Sequence, residues 1–267
     1  MKKIMLNNNF TILTLAASFL VAGFSTTALS SEDANSDTSV IVDLAYSTVF
    51  IPEYGFDDND NVQAVVEGFL PNSCYTLAQT DTLISEEAKT VKIKQSAIRS
   101  VAGICENEAM LPPDLAAQRY FWKVIDLGML NEGQHQLLYK GASGTESKSF
   151  GIELAPSNQI DNMSYVQATN VFAGKNIPAS QEYVEFRITG QLTSSCAELS
   201  DDYQVEKVND VYVVMLHTFR SEEYCMPASR SFYRLIRVKT PEAGRYLLHV
   251  RSIGGESQNS IFDIVAE

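Results

Sequence analysis

Apolar and polar positions alternate along much of this chain, the period of a half-buried strand rather than of a helix. Val62, Ala64, Val66 and Gly68 share one face of such a strand, and Val184, Phe186, Ile188 and Gly190 share one face of another. Residues 90–95, 121–127, 210–216 and 232–238 carry β-branched and aromatic side chains that favour strands too.

The two leading strands are related. VQAVVEGFLPNSC (62–74) and VEFRITGQLTSSC (184–196) hold Val, Gly, Leu, Ser and Cys at equal offsets. Upstream, Ser47 to Phe50 answer Thr169 to Phe172. Downstream, residues 132–138 answer 243–249, and Phe150-Gly151-Ile152 answers Phe262-Asp263-Ile264. Gly- and Ser-rich turns at 141–144 and 254–257 precede those closing strands. This is the pattern of an internal duplication, with one repeat over 41–155, a linker over 156–162 and a second repeat over 163–267. About seven short strands per repeat predict an all-β protein of two tandem antiparallel β-sandwich domains. The shared Gly68 and Gly190 predict a bulge or a close backbone approach just before the Cys. The first repeat alone has an insertion between Cys105 and Phe121, where Pro113 is placed to start a short helix.

Four cysteines allow three pairings, and the duplication selects Cys74 with Cys105 and Cys196 with Cys225, one bridge inside each repeat. The spacing lacks the CxxC pairs and nearby His of a zinc site. With Gly-x-Leu-x-x-Ser-Cys, a second Cys, Phe-x-x-x-Ile, Gly-x-(Tyr/His)-x-Leu and Phe-x-Ile in order, each repeat resembles a small immunoglobulin-like module of bacterial exported proteins and lipoproteins. The resemblance implies a fold and no activity. The chain departs from immunoglobulin domains in its short Cys spacing and in having no Trp between either Cys pair.

The N-terminus changes the picture of where the protein works. Lys2 and Lys3 precede an apolar run from Phe10 to Phe24 and small residues up to Ser30, the layout of a signal peptide over 1–30. The polar, acidic residues that follow, to about position 40, predict a disordered lead-in. A periplasmic or secreted protein is expected, with oxidised cysteines and no integral membrane segment after cleavage. The 20 Lys and Arg face 33 Asp and Glu, a formal net charge of −13 at pH 7, which argues against nucleic acid as a partner.

Candidate chemistry is sparse. Asp57, Asp58 and Asp60 cluster in one loop with the oxygen donors calcium needs, yet without the Gly and distal Glu of an EF-hand, and Asp and Asn are also ordinary turn residues. His135, His217 and His249 fall on expected strands, and Gly141 to Gly144 is a turn rather than a nucleophile elbow. No catalytic residue, metal or cofactor is therefore assigned. Met110 and Leu115 in the insertion, with Tyr120 and Trp122 beside it, are the candidate binding residues, because aromatic anchors near Met are typical of interface centres. The expected function is a non-enzymatic binding or adaptor protein of the bacterial envelope or surface. Its partner would be another envelope or extracellular protein or a glycan. The alternatives are an exported hydrolase, or hydrolase accessory, with carboxylates in an inter-domain cleft, and a calcium-dependent adhesion or matrix protein.

Overall fold

Alternating β-branched and aromatic residues bury one face of a strand while neighbouring strands satisfy its backbone, and this chain is built almost wholly that way. The computed structural model describes residues 39–155, 165–220 and 224–266. The expected signal peptide, residues 31–38 of the lead-in and the expected linker lie outside the described residues. The N-terminal half contains β1 (Ser39–Leu44), β2 (Tyr46–Phe50), β3 (Phe56–Asp57), β4 (Val62–Leu70), β5 (Tyr75–Ser85), β6 (Thr90–Ser100), β7 (Arg119–Gly128), β8 (Gly133–Gly141) and β9 (Gly144–Glu153). The C-terminal half contains β10 (Gln167–Ala173), β11 (Ile177–Pro178), β12 (Tyr183–Ser194), β13 (Ala197–Val208), β14 (Val211–Arg220), β15 (Pro227–Lys239), β16 (Gly244–Arg251) and β17 (Ser257–Val265). The protein is all-β. The chain enters β1 at Ser39, two residues inside the expected lead-in.

Each half is a pair of sheets with one strand order. A small sheet runs β2-β4-β7 in the first half and β10-β12-β15 in the second. A larger sheet runs β5-β6-β8-β9-β3 and β13-β14-β16-β17-β11, with β1 added against the far end of β6. The expected purely antiparallel sheets are not found. β6 pairs with β8, β14 with β16, β3 with β9 and β11 with β17 in parallel. The reason is that the strand returning from the β5–β6 or β13–β14 hairpin, not the outgoing one, lies beside β8 or β16.

Val66, Phe121 and Ile125 of the first small sheet meet Ile93, Leu137 and Phe150 of the larger one in a continuous core. Phe186, Ile188 and Ile236 meet Val214, Leu248 and Phe262 in the second half. A third core joins the halves. Phe50, Val65 and Val124, on the outer face of β2-β4-β7, pack against Val211, Val213, Leu247 and Ile261 on the outer face of the second half's larger sheet. The four sheets are therefore stacked in series, and β4, between two cores, is buried on both faces. Five fully buried side chains in the joint, at about 1.5–3 kcal/mol each, oppose free hinging of one half on the other.

Both readings of the shared glycines are met. A Cβ on Gly68 would stand 2.5 Å from the Phe121 ring, and one on Gly190 would stand 2.5 Å from the Phe232 ring, each its cross-strand partner. Opposite them, the register slips by one residue at Ser47 in β2 and at Thr169 in β10.

The bridges Cys74–Cys105 and Cys196–Cys225 are formed, which fits an oxidising, extracytoplasmic environment. Each closes the base of a hairpin, β5–β6 or β13–β14. An immunoglobulin bridge instead ties one sheet to the other. The insertion folds into α1 (Gly103–Glu106), a 3-10 turn (Glu108–Met110) and α2 (Pro113–Ala116), which begins at Pro113. No helix among the described residues is long and apolar enough to cross a membrane.

Candidate binding cleft

The second half leaves part of the outer face of β2-β4-β7 uncovered. Strand pleating puts Val65, Glu67 and Phe69 of β4 on that face, opposite Val124, Trp122 and Tyr120 of β7. Val65 is buried in the third core and Val124 packs partly buried against it, whereas Phe69, Tyr120 and Trp122 remain 45%, 47% and 48% exposed. The Phe69 and Tyr120 rings lie 5.7 Å apart. Tyr120 and Trp122 floor a cleft of about 560 Å³, whose far wall comes from Asn170 of β10, Lys175, Arg245 of β16, and Ser260, Ile261 and Asp263 of β17.

Arg245 organises one side of this cleft. Its Nε donates to Glu67 Oε2 at 2.7 Å, its Nη1 lies 2.7 Å from both oxygens of Asp263, and its Nη2 donates to the Tyr120 hydroxyl at 3.2 Å. The Tyr120 hydroxyl in turn donates to Glu67. Glu67 is 1% exposed, so its charge depends on these partners, and an unpartnered carboxylate there would be strongly destabilising. The hydrogen bond that Arg245 donates to Glu67, followed by that to Asp263, holds the guanidinium more firmly protonated against its own desolvation. Burial, and then the hydrogen bond to Glu67, pushes the Tyr120 phenol up to about 12. Tyr120 is therefore a fixed, neutral ring with its hydroxyl already engaged. The charged lining residues are Lys175, Arg245 and Asp263, and the buried Glu67 of β4 offsets Arg245 from beneath the floor.

Family models, curated proteins and solved structures were searched, and none matches this chain.

Of the residues singled out by sequence, Tyr120 and Trp122 line the cleft and Met110 and Leu115 do not. Met110 is exposed on the 3-10 turn, and Leu115 is half-buried in α2, its carbonyl accepting from the Ser73 amide at 3.1 Å. The insertion thus folds onto the β4–β5 turn. Sequence reasoning passed over Glu67, Arg245 and Asp263. A usable signal existed, because the positions aligned with them by the recurring motifs are Thr189, Gln134 and Gly151, none of them charged.

The Asp cluster is engaged in the fold. Asp57 Oδ1 accepts from the Asn59 amide at 3.3 Å, Asp58 Oδ1 from the Ala155 amide at 2.9 Å, and Asp60 Oδ2 from the Asp57 amide at 3.0 Å. Asp60 also pairs with Arg251 at 3.1 Å. Burial, then the Asp60 charge, raises the Asp57 carboxyl. Among the described residues no three His, Cys, Asp or Glu are grouped to hold a metal.

The histidines are dispersed. His135 stacks on Phe150, His217 on Tyr165, and His249 meets Phe56 edge-on. Burial lowers His217 and takes His249 down to about 4, so both are neutral near pH 7.

Proposed function

We propose that this protein is a non-enzymatic binding or adaptor protein of the bacterial envelope or surface, periplasmic or secreted, built from two copies of one immunoglobulin-related sandwich. Its partner would seat in the cleft floored by Tyr120 and Trp122. The observation that carries the reading is the half-exposed pair Tyr120 and Trp122, with Tyr120 fixed through its hydroxyl by the Glu67–Arg245 pair at the joint between the halves. A fixed aromatic surface lowers the ordering cost that a ligand must overcome. The matching strand order of the halves and the pairing of the Gly68 and Gly190 environments support descent from one unit. The two carboxylates of the cleft, Glu67 and Asp263, point at one guanidinium and so do not flank a bond as a hydrolytic pair must.

The test is a photo-reactive residue placed at position 122 in the producing cell, with position 233 as control. Tyr233 occupies the corresponding place in the second repeat and is 59% exposed. An adduct from 122 that is absent from 233 is expected. Equal labelling from both, or none from 122, counts against the cleft.

A further inference from the structure

We infer that the cleft takes a neutral saccharide chain. This rests on the reading of the cleft as a binding seat and adds the chemistry of its occupant.

The floor and the far wall ask for different things. Tyr120 and Trp122 offer the negative faces of their rings, which attract weakly positive C–H groups lying flat on them. Across from them, the side chains of Asn170, Ser260 and Lys175 make no hydrogen bond within the protein among the described residues. An amide and a hydroxyl that each donate and accept, beside an ammonium that only donates, suit groups that do both. A ligand meeting both sides has a C–H face and a rim of hydroxyls, which describes a pyranose ring.

Charge points to a neutral chain. Arg245 is already engaged by Glu67 and Asp263, which leaves Lys175 as a single ammonium facing the ligand, and the −13 formal charge of the chain outweighs that one cation and repels polyanions. Size agrees, since about 560 Å³ falls inside the ~300–1,000 Å³ typical of small-ligand sites. A protein partner of ordinary affinity needs roughly 800 Å² on each side with an apolar centre. Here the apolar strip gives way at once to Asn170, Lys175 and Asp263.

Trp122 is the one tryptophan of the chain and therefore reports this site alone. The purified exported protein is titrated with cello-, malto-, xylo- and chito-tetraose and then applied to an array of neutral and acidic glycans. A saturable shift of Trp122 emission with a neutral glycan is expected, with at least tenfold weaker binding in Asn170→Ala and Lys175→Ala, which keep the reporter. Trp122→Phe, followed by calorimetry, separates loss of stacking from loss of fold. Preference for acidic glycans, or undiminished affinity in both wall variants, overturns the assignment. If no glycan binds while the photo-adduct at position 122 is a protein, the saccharide proposal fails and the binding seat stands. If there is neither glycan binding nor an adduct, both fail.

Discussion

A methyl group on Gly190 would stand 2.1 Å from the Gln167 carbonyl oxygen and 2.5 Å from the Phe232 ring, whereas on Gly68 its nearest neighbours belong to the Phe121 ring. A ring can tilt, but a backbone carbonyl held in the β10–β12 ladder cannot withdraw. Gly68→Ala is therefore expected to cost about 1–3 kcal/mol, the usual range for overpacking, and Gly190→Ala more. Urea unfolding of the two variants checks the order, and equal losses would show that the carbonyl contact carries no weight. Sequence repetition made both glycines legible as special. It did not name Phe121 and Phe232 as the cause, because the rings arrive from strands more than forty residues away.

At the scale of elements, alternation located β4, β6, β7, β12, β14 and β15, each with residues in a core, and missed β5 and β13. Those two are mostly exposed along their length, so neither face carries an apolar period. What makes them strands is the ladder to β6 and β14. In β5 a bulge near Ala78 is completed by Gln95, whose Nε2 donates to the Ala78 carbonyl at 3.0 Å. Hairpins with so little buried surface depend on their base. The bridges span 31 and 29 residues, and in the chain-entropy account each stabilises by about 3.5 kcal/mol. Replacing Cys196 and Cys225 together by Ser is expected to lower unfolding free energy by that order. A loss below about 1 kcal/mol would mean that the β13–β14 ladder suffices alone, since disulfides of this kind contribute 2–4 kcal/mol. The short helix at Pro113 was legible because proline at a first turn is a local signal.

For the whole molecule, the joint between the halves contains a pH-sensitive group. His249 is 2% exposed, edge-on to Phe56 of the other half, and hydrogen-bonded through Nδ1 to Asn259 at 2.9 Å. Burial lowers it from 6.5 to about 4, and the nearby Arg251 charge acts in the same direction. Above pH 6.5 both folded and unfolded chains hold it neutral and its full contribution is present. Between 6.5 and about 4 the unfolded chain takes a proton that the folded one does not, so stability falls with falling pH, by about 3 kcal/mol in all. Below about 4 this residue adds no further loss. Unfolding free energies from pH 7.5 to 4 are expected to show the decline, and His249→Gln, which keeps an amide near Asn259, to flatten it. An identical slope in the variant would assign the acid sensitivity to other groups.

By itself the sequence determined the all-β class, the disulfide pairing and the matched glycines. These follow from local periodicity and from short motifs that recur along the chain, both of which are read from sequence alone. Only the tertiary structure decided that the halves stack through a third core, that some strand neighbours run parallel, and that Met110 and Leu115 stand apart from the cleft. It also brought Arg245 to Glu67, a pair separated by 178 positions. Such a partnership leaves no periodic trace, because outer-face residues of a strand look polar or apolar according to what will cover them, and the covering sheet is formed by distant sequence.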